Sequence, residues 1–364
     1  MSITSERNIA AKLYVDAKIN VSKERVAEEF AKLAWEPKVS QMLTDLIEVK
    51  AKGFRGIVVT ALTGMYLNDD YNPLDNFYKC NPRSIFEHGI FYALQENRIP
   101  CGKSDPLNVA KNVNRLNEDW AEGKRPAKAA LAVVSFLRLV LAANSNEREE
   151  LIDYFFFRLW QYARKLDEYE IIQIDTSLDS KIEIGIKLIE FTLAYPESGQ
   201  LPQFLVSQLL QANFKYSDVT VVGGKESVFG TNTTSKKPAD IWLERVGKIT
   251  NLYEITVKTV SIKRLEDCID ALRQTGHLDC PVTFICRIQE DTSSLEIANN
   301  HVVYKNKRFE FIDYYSFCLS LFALLSKTEV DLVQANVSRL VEDVSTSMRA
   351  KQGWNALFSQ SIDS

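Results

Sequence analysis

The sequence predicts an α+β protein (mixed α/β) in which a mostly helical region, residues 1–195, precedes a region with a mixed sheet flanked by helices, residues 196–364. Helical spacing of apolar residues recurs in the first region, at residues 22–34, 38–52, 84–97, 127–143, 147–165 and 181–194. Short runs rich in β-branched and aromatic residues appear only later, at 218–222 and 281–287. The turn-rich stretch Tyr195-Pro196-Glu197-Ser198-Gly199 marks the boundary between the regions.

The second region has a definite order of predicted elements. A helix at 201–213 leads to a strand at 218–222, and a two-stranded hairpin then covers 240–258. An amphipathic helix at 261–274, capped by Ser261, and a buried strand at 281–287 follow. The order is therefore helix, three strands, helix, strand. Two further helices are predicted, at 313–326 and 328–350.

The predicted hairpin carries the most informative polar residues. Asp240 follows Pro238-Ala239 at the start of its first strand, and Glu254 and Lys258 lie on the second. Side chains alternate along a strand, so residues 254, 256 and 258 are expected on one face. If the turn centres on Gly247, Asp240 faces Glu254; if it centres two residues later, Asp240 faces Lys258. Either register gathers two acids and a lysine.

That combination of side chains suits a divalent-metal phosphodiesterase. Carboxylates are the hard oxygen ligands that Mg²⁺ prefers, so Asp240 and Glu254 are the predicted metal ligands. Lys258 is predicted to orient the attacking water or neutralise the phosphate. It reaches the metal only if the strand bends, because four extended residues span about 13 Å. Two alternatives stay open: Thr256 fills the second ligand position, or Glu226 in the preceding loop supplies another acid.

The element order, with acids on the second and third strands, resembles the core of the PD-(D/E)xK nuclease superfamily. More narrowly, the chain resembles type II restriction endonucleases similar to SacI. Residues Gly102 to Asn108 (GKSDPLN) look like that family's Gly-to-Pro-(Leu/Ile)-Asn segment, and Asp240 with Glu254-x₃-Lys258 resembles its catalytic spacing. The sequence departs from the superfamily pattern by one inserted residue, Ala239, and by a lysine two positions late.

The resemblance implies a site-specific endodeoxyribonuclease. It implies a PD-(D/E)xK fold, dependence on Mg²⁺, a short palindromic target in double-stranded DNA and a homodimer. It also implies a cognate DNA methyltransferase as a genetic partner. The alternative is a non-catalytic DNA-binding or interaction protein built on a nuclease-like fold. The presence of both acids, with the lysine near, favours the enzyme.

Residues that would contact DNA are predicted in two places. In the helical region, Lys103 to Arg115 is predicted to form one helix with its preceding turn, and it offers Arg, Lys and Asn side chains that read base edges. Four candidates there are Lys103, Asn108, Lys111 and Arg115. The hairpin is flanked by two basic pairs, Lys236 with Lys237 and Lys263 with Arg264. A solvated polar surface is the competing interpretation in both places.

Composition limits the remaining possibilities. The formal net charge of −4 argues against a broadly basic nucleic-acid-binding surface but leaves room for a local basic cleft. No apolar run is long enough for a membrane span, and no signal pattern opens the chain. The six cysteines show no metal-ligand spacing and are expected to be reduced thiols in a cytoplasmic protein.

A narrow apolar stripe near the C-terminus suggests a helix–helix contact. Its members are Val330, Val337, Leu340, Val341 and Val344. The stripe suits either a dimer contact or packing within its own domain.

Overall fold

The computed structural model describes residues 3–172, 180–224 and 237–359 of the 364-residue chain. The chain divides into two compact units, Met1–Tyr169 and Glu170–Ser364. This division falls earlier than the boundary expected near Tyr195. Helix Lys181–Ala194 belongs to the second unit, because it packs against that unit's later helices.

The first unit is helical throughout the part that the structure describes, and one large apolar cluster forms its core. Its helices are α1 Ile3–Glu24, α2 Ala27–Phe30, α3 Glu36–Ile47, α4 Gly53–Leu67, α5 Pro82–Ile85, α6 Phe91–Glu96, α7 Asp105–Ala110, α8 Glu118–Glu122, α9 Ala127–Ala142 and α10 Ser145–Asp167. A π-helical turn, Phe86–Ile90, joins α5 to α6. The helices predicted at 84–97, 127–143 and 147–165 are confirmed.

Two features of the first unit differ from the sequence prediction. The helix expected at 22–34 is wrong, because α1 runs to Glu24 and the chain extends at Val26 before the short α2. Helix α4 was not predicted. Every residue from Gly53 to Gly64 is buried, so the helix has no polar face and shows no amphipathic period.

The segment predicted to form a recognition helix is shorter than expected. Helix α7 ends at Ala110, Lys111 adopts an extended backbone conformation, and Asn112 has a φ of 61°. The left-handed conformation of Asn112 stops the helix, and its N–H donates to the Tyr78 hydroxyl at 2.7 Å. Lys111 and Arg115 therefore do not share a helix face with Asn108.

The second unit contains the sheet and its flanking helices. Before the sheet lie α11 Lys181–Ala194 and α12 Gln200–Asn213. The remaining elements are β1 Val219–Gly223, β2 Ile241–Arg245, β3 Lys248–Ile255, α13 Ile262–Thr275, β4 Val282–Cys286, α14 Ile288–Asp291, β5 His301–Tyr304, β6 Lys307–Asp313, α15 Tyr314–Leu324, α16 Lys327–Glu342 and α17 Met348–Ser359. The predicted order from α12 to β4 is confirmed, and the fold class is mixed α and β.

The six strands form one mixed sheet in the order β1-β2-β3-β4-β6-β5. Strands β1, β2 and β3 are antiparallel neighbours, whereas β3, β4 and β6 run parallel. Helix α13 is the crossover between β3 and β4, as parallel strands require. It packs apolar residues such as Leu265 and Cys268 against Leu252 and Phe284 of the sheet. Because α13 begins at Ile262, shortly after β3 ends at Ile255, its first turn lies beside the carboxyl end of β3.

The C-terminal apolar stripe packs inside the second unit. Val330, Val337 and Val341 are buried on α16, which packs against α11, α12 and α17. The helix ends at Glu342, so the helix expected at 328–350 is wrong beyond that residue; α17 begins at Met348. Of the two roles considered for the stripe, the structure shows packing within its own domain. No helix in the described ranges could cross a membrane.

Candidate active site

The β2–β3 hairpin sets the register of the two acids. Val246 and Gly247 form the turn, with φ values of 51° and 71°, the signature of a two-residue hairpin turn. Ile241 pairs with Tyr253. Continuing that register by one residue places Asp240 level with Glu254, as expected for a turn centred on Gly247. A bulge between Leu243 and Glu244 shifts the register by one residue, so that nearer the turn Glu244 pairs with Ile249 and Arg245 with Lys248.

Asp240 lies immediately before β2 and is held by the neighbouring strand. Its Oδ2 atom accepts a hydrogen bond of 3.0 Å from the Ile255 N–H, and its side chain is 11% exposed. Burial raises the pKa of the Asp240 carboxyl, and this effect outweighs the opposing influence of Arg264. The hydrogen bond from Ile255 thus orients the Asp240 carboxyl, and its buried surroundings disfavour the ionised form.

Glu254 is buried and pairs with an arginine from α13. Its side chain is 1% exposed, and its Oε2 accepts a hydrogen bond of 2.5 Å from Arg264 Nη2. The same Nη2 lies 3.8 Å from Asp240 Oδ2. The negative charge of Glu254 raises the pKa of Arg264. One guanidinium therefore pairs directly with Glu254 and also lies within ion-pair distance of Asp240, the other member of this carboxylate pair.

Arg264 reaches the carboxylate pair because of where α13 begins. Ser261 caps the helix by accepting from the Arg264 N–H, which confirms the predicted cap. Arg264 is in the first turn, beside the carboxyl end of β3. Arg264 is one of the predicted DNA-contact residues, and in this structure its guanidinium contacts Glu254 inside the site. The sequence offers little signal for this pairing, because it depends on the β3–α13–β4 crossover.

A cleft of about 190 Å³ opens beside Asp240, and Glu254 is not among the residues that line it. Asp240 and Arg264 line it, together with Ser198, Gly199 and the segment Ile255 to Thr259. Because Gly199 immediately precedes α12 and Arg264 is in the first turn of α13, two helix N-termini face the cleft. Helix N-termini carry partial positive charge and favour anions. The cleft therefore suits an anionic ligand at its mouth.

Lys258 lines this cleft, although it is not on the strand. Strand β3 ends at Ile255, so residues 254, 256 and 258 do not follow one strand face as expected. The Thr256 hydroxyl donates to the Lys258 carbonyl and accepts from its N–H, at 3.2 and 3.1 Å. This local turn bends the chain, which is the condition under which Lys258 was expected to approach the site. Thr256 also lines the cleft.

The other cations predicted beside the hairpin include Lys237 and Lys263, which differ in their exposure to solvent. Lys237 is half-buried, and burial lowers the pKa of its ammonium while Asp240 opposes that change. Lys263 points to solvent, with a side chain 72% exposed and an ion pair of 2.9 Å to Asp267. Lys236 and the alternative acid Glu226 lie outside the described residues.

Two further residues support the backbone of Asp240, and the sequence analysis did not identify them. Gln203 on α12 donates from Nε2 to the Asp240 carbonyl at 3.4 Å. Gly223 has a φ of 94°, and a Cβ there would lie 2.3 Å from the same carbonyl oxygen. A glycine pair ending a strand, Gly223-Gly224, was the available signal, because interior glycines often mark close backbone approach.

The carboxylate pair fits Mg²⁺ in its donor chemistry. Within the described ranges, no three His, Cys, Asp or Glu side chains form a group that could hold a metal ion. Mg²⁺ commonly uses only one or two carboxylates, with water and substrate phosphate completing its shell. Arg264 acts as a stand-in cation, since its guanidinium already lies against both acids. The two carboxylates are therefore of the donor type that Mg²⁺ uses, and in this structure the guanidinium of Arg264 lies against both.

The predicted DNA-contact residues of the first unit are all exposed. They are Lys103, Asn108, Lys111 and Arg115. Between them lies Asp105, which is buried and accepts 2.7 Å from the Gly102 N–H. The Gly102 to Asn108 motif is therefore anchored by a structural contact while presenting Lys103 and Asn108 to solvent.

Comparison with known proteins adds no assignment. No family model matches the sequence, and no curated protein matches it.

Proposed function

We propose that this protein is a Mg²⁺-dependent endonuclease that hydrolyses phosphodiester bonds of double-stranded DNA at a specific site. The observation that carries the proposal is the contact of Arg264 with both Asp240 and the buried Glu254, beside a cleft that Asp240 and Lys258 line. A phosphodiester needs a cation to offset charge in its transition state and an activated water. The site offers carboxylates to bind a metal ion and cationic side chains to bind a phosphate.

Each residue has a role in this proposal. Asp240, fixed by the Ile255 N–H, and Glu254 hold Mg²⁺. When bound, the ion lowers the pKa of a coordinated water and polarises the phosphate. Lys258, on the bend beside Thr256, attracts the scissile phosphate and orients the nucleophile. The N-termini of α12 and α13 add positive potential at the same mouth.

Sequence recognition is assigned to the exposed residues of the first unit. Asn108 and Lys111 are of the types that read adenine and guanine in the major groove. Alanine at each position, measured separately on specific and random duplexes, tests this assignment. Equal loss of affinity on both duplexes would indicate phosphate contacts alone. The restriction role, with its palindromic target and partner methyltransferase, rests on the resemblance to enzymes similar to SacI.

The second candidate function is non-catalytic DNA binding, and one observation favours it. Arg264 satisfies Glu254 through a short, buried ion pair, which is how a nuclease-like site without metal would be stabilised. The two functions make different predictions for metal binding, because only the enzyme needs the carboxylate pair to accept a dication.

Substitution of Asp240 tests the enzyme directly. Asp240→Ala should abolish cleavage in Mg²⁺ while leaving specific DNA binding in Ca²⁺ largely intact, because the variant lacks a carboxylate that holds the catalytic ion. Arg273→Ala, which removes an exposed cation of α13 paired with Asp270, is the matched control and should keep cleavage. Cleavage by the Asp240 variant at the wild-type rate would remove Asp240 from the active site.

A further inference from the structure

We propose that Arg264 is a built-in competitor for the metal: its guanidinium occupies the carboxylate pair in the metal-free protein and must leave when a dication binds. This inference rests on the proposed metal site. It adds a residue that sets metal affinity and keeps the site closed in the absence of metal.

The geometry shows why the guanidinium and a dication exclude one another. Arg264 Nη2 lies 2.5 Å from Glu254 Oε2 and 3.8 Å from Asp240 Oδ2. A cation bound by both acids would lie within about 4 Å of that nitrogen, where like charges repel strongly inside a protein. Glu254 is 1% exposed, so no outer face of its carboxylate is open for a second cation.

The same surroundings allow Arg264 to move. Its side chain is 34% exposed, whereas Glu254 beneath it is closed to solvent. Arg264 belongs to the first turn of α13 and lines the cleft, so rotation of its long side chain needs no change in the helix. The freed guanidinium would face the cleft mouth beside Lys258, where the scissile phosphate enters. Arg264 thus exchanges a carboxylate for a phosphate as its partner.

Charge balance supports an exchange instead of simple addition. In the metal-free site, one guanidinium offsets a buried acid that would otherwise be costly. Removing that guanidinium takes away the ion pair with Glu254, and a dication then supplies positive charge at the same place. A variant without the guanidinium should therefore bind a dication more tightly than the wild type. A residue that merely supported the fold would give the opposite sign, because losing it would disorder the ligands.

The test measures Mn²⁺ binding to the full-length protein by electron paramagnetic resonance, with no DNA present. Arg264→Gln should bind Mn²⁺ about tenfold more tightly than the wild type, within the range typical of coupled sites. Arg273→Gln is the matched control: it removes an arginine of the same helix, which pairs with Asp270 away from the carboxylate pair, and should leave the affinity unchanged. Arg264→Gln should also gain more thermal stability from Mn²⁺ than the wild type does.

Each outcome distinguishes the inference from the proposed function. Equal or weaker Mn²⁺ binding by Arg264→Gln, with wild-type binding intact, would overturn the competition alone. Mn²⁺ binding by neither protein would overturn the metal site and the nuclease with it. If Arg264→Gln does not fold, Arg264→Met serves, since methionine removes the charge and keeps a long, flexible apolar side chain. Its Mn²⁺ affinity should then exceed the wild-type value, and an unchanged affinity would contradict the competition.

Discussion

At the scale of single residues, the ionised carboxylate of Asp240 lowers the free energy of unfolding of the metal-free protein. Burial raises the pKa of its carboxyl above the ordinary value. A group with a raised folded-state pKa contributes stability at low pH that is lost as the pH rises through that value. The ionised form required for metal binding is therefore the less stable form in the metal-free protein, as in many functional sites.

The first prediction follows from that sign. In a chelator, Asp240→Asn should be more stable than the wild type at neutral pH, and the difference should vanish as the pH falls below the ordinary carboxyl pKa. The amide oxygen can still accept from the Ile255 N–H, so the geometry is retained. Urea unfolding of both proteins over a pH series measures the difference in unfolding free energy. A stability gain confined to acid pH would contradict the assigned direction.

The second prediction concerns the asymmetry of the Glu254–Arg264 pair. Arg264→Ala leaves a buried carboxylate without its strongest partner and should cost about 3 kcal/mol of unfolding free energy. Glu254→Gln leaves an arginine that is 34% exposed and can reach water, so it should cost about 1 kcal/mol. Urea unfolding of both variants in chelator compares them. Equal costs would mean that burial does not distinguish the two partners.

At the scale of elements, the end of β1 fixes the backbone of Asp240. Gly223→Ala would place a Cβ 2.3 Å from the Asp240 carbonyl oxygen, at a residue whose φ is 94°. Gly276→Ala is the matched control, since Gly276 also has a positive φ, of 76°, but has open space around it.

The third prediction compares those two glycines. Gly276→Ala should cost about 1 kcal/mol of unfolding free energy, the conformational penalty alone. Gly223→Ala should cost more and should also abolish cleavage, because Asp240 must shift. The unfolding free energy and the plasmid cleavage of both variants test this prediction. Similar costs with cleavage retained would show that the close approach does not position Asp240.

The elements also show which parts of the site were predictable. The hairpin turn was predictable from Gly247, because a positive-φ residue suits a short turn, but the bulge that brings Asp240 level with Glu254 was not. The strands β5 and β6 were missed although Phe309 and Phe311 alternate with charged residues, the pattern of a half-buried strand. The role of Arg264 could not be predicted, because a residue ten positions from Glu254 meets it only through tertiary packing.

At the scale of the whole molecule, the chain has two compact units, and the carboxylate pair lies in the second. A helical first unit and a sheet-containing second unit were predictable, because helical and strand periods differ in sequence. The division at Tyr169 was not, because the assignment of α11 depends on packing against helices more than a hundred residues later.

The fourth prediction is dimerisation. A palindromic target presents two scissile phosphates related by a two-fold axis, and a symmetric dimer places one site on each strand. The apolar stripe of α16 is buried within its own unit, so the dimer must use another surface. Light scattering at micromolar concentration, with and without a cognate duplex, measures it. A monomer in both states would contradict a two-site cut.

The central claim is that Asp240 and Glu254 form a metal-dependent nuclease site, and DNA cleavage tests it most directly. Mixed plasmid DNA is incubated with the purified protein in Mg²⁺ or in chelator, beside Asp240→Ala. The proposal predicts discrete bands from the wild type in Mg²⁺ and intact plasmid in both other reactions. Intact plasmid in every reaction, or the same bands from Asp240→Ala, would contradict it.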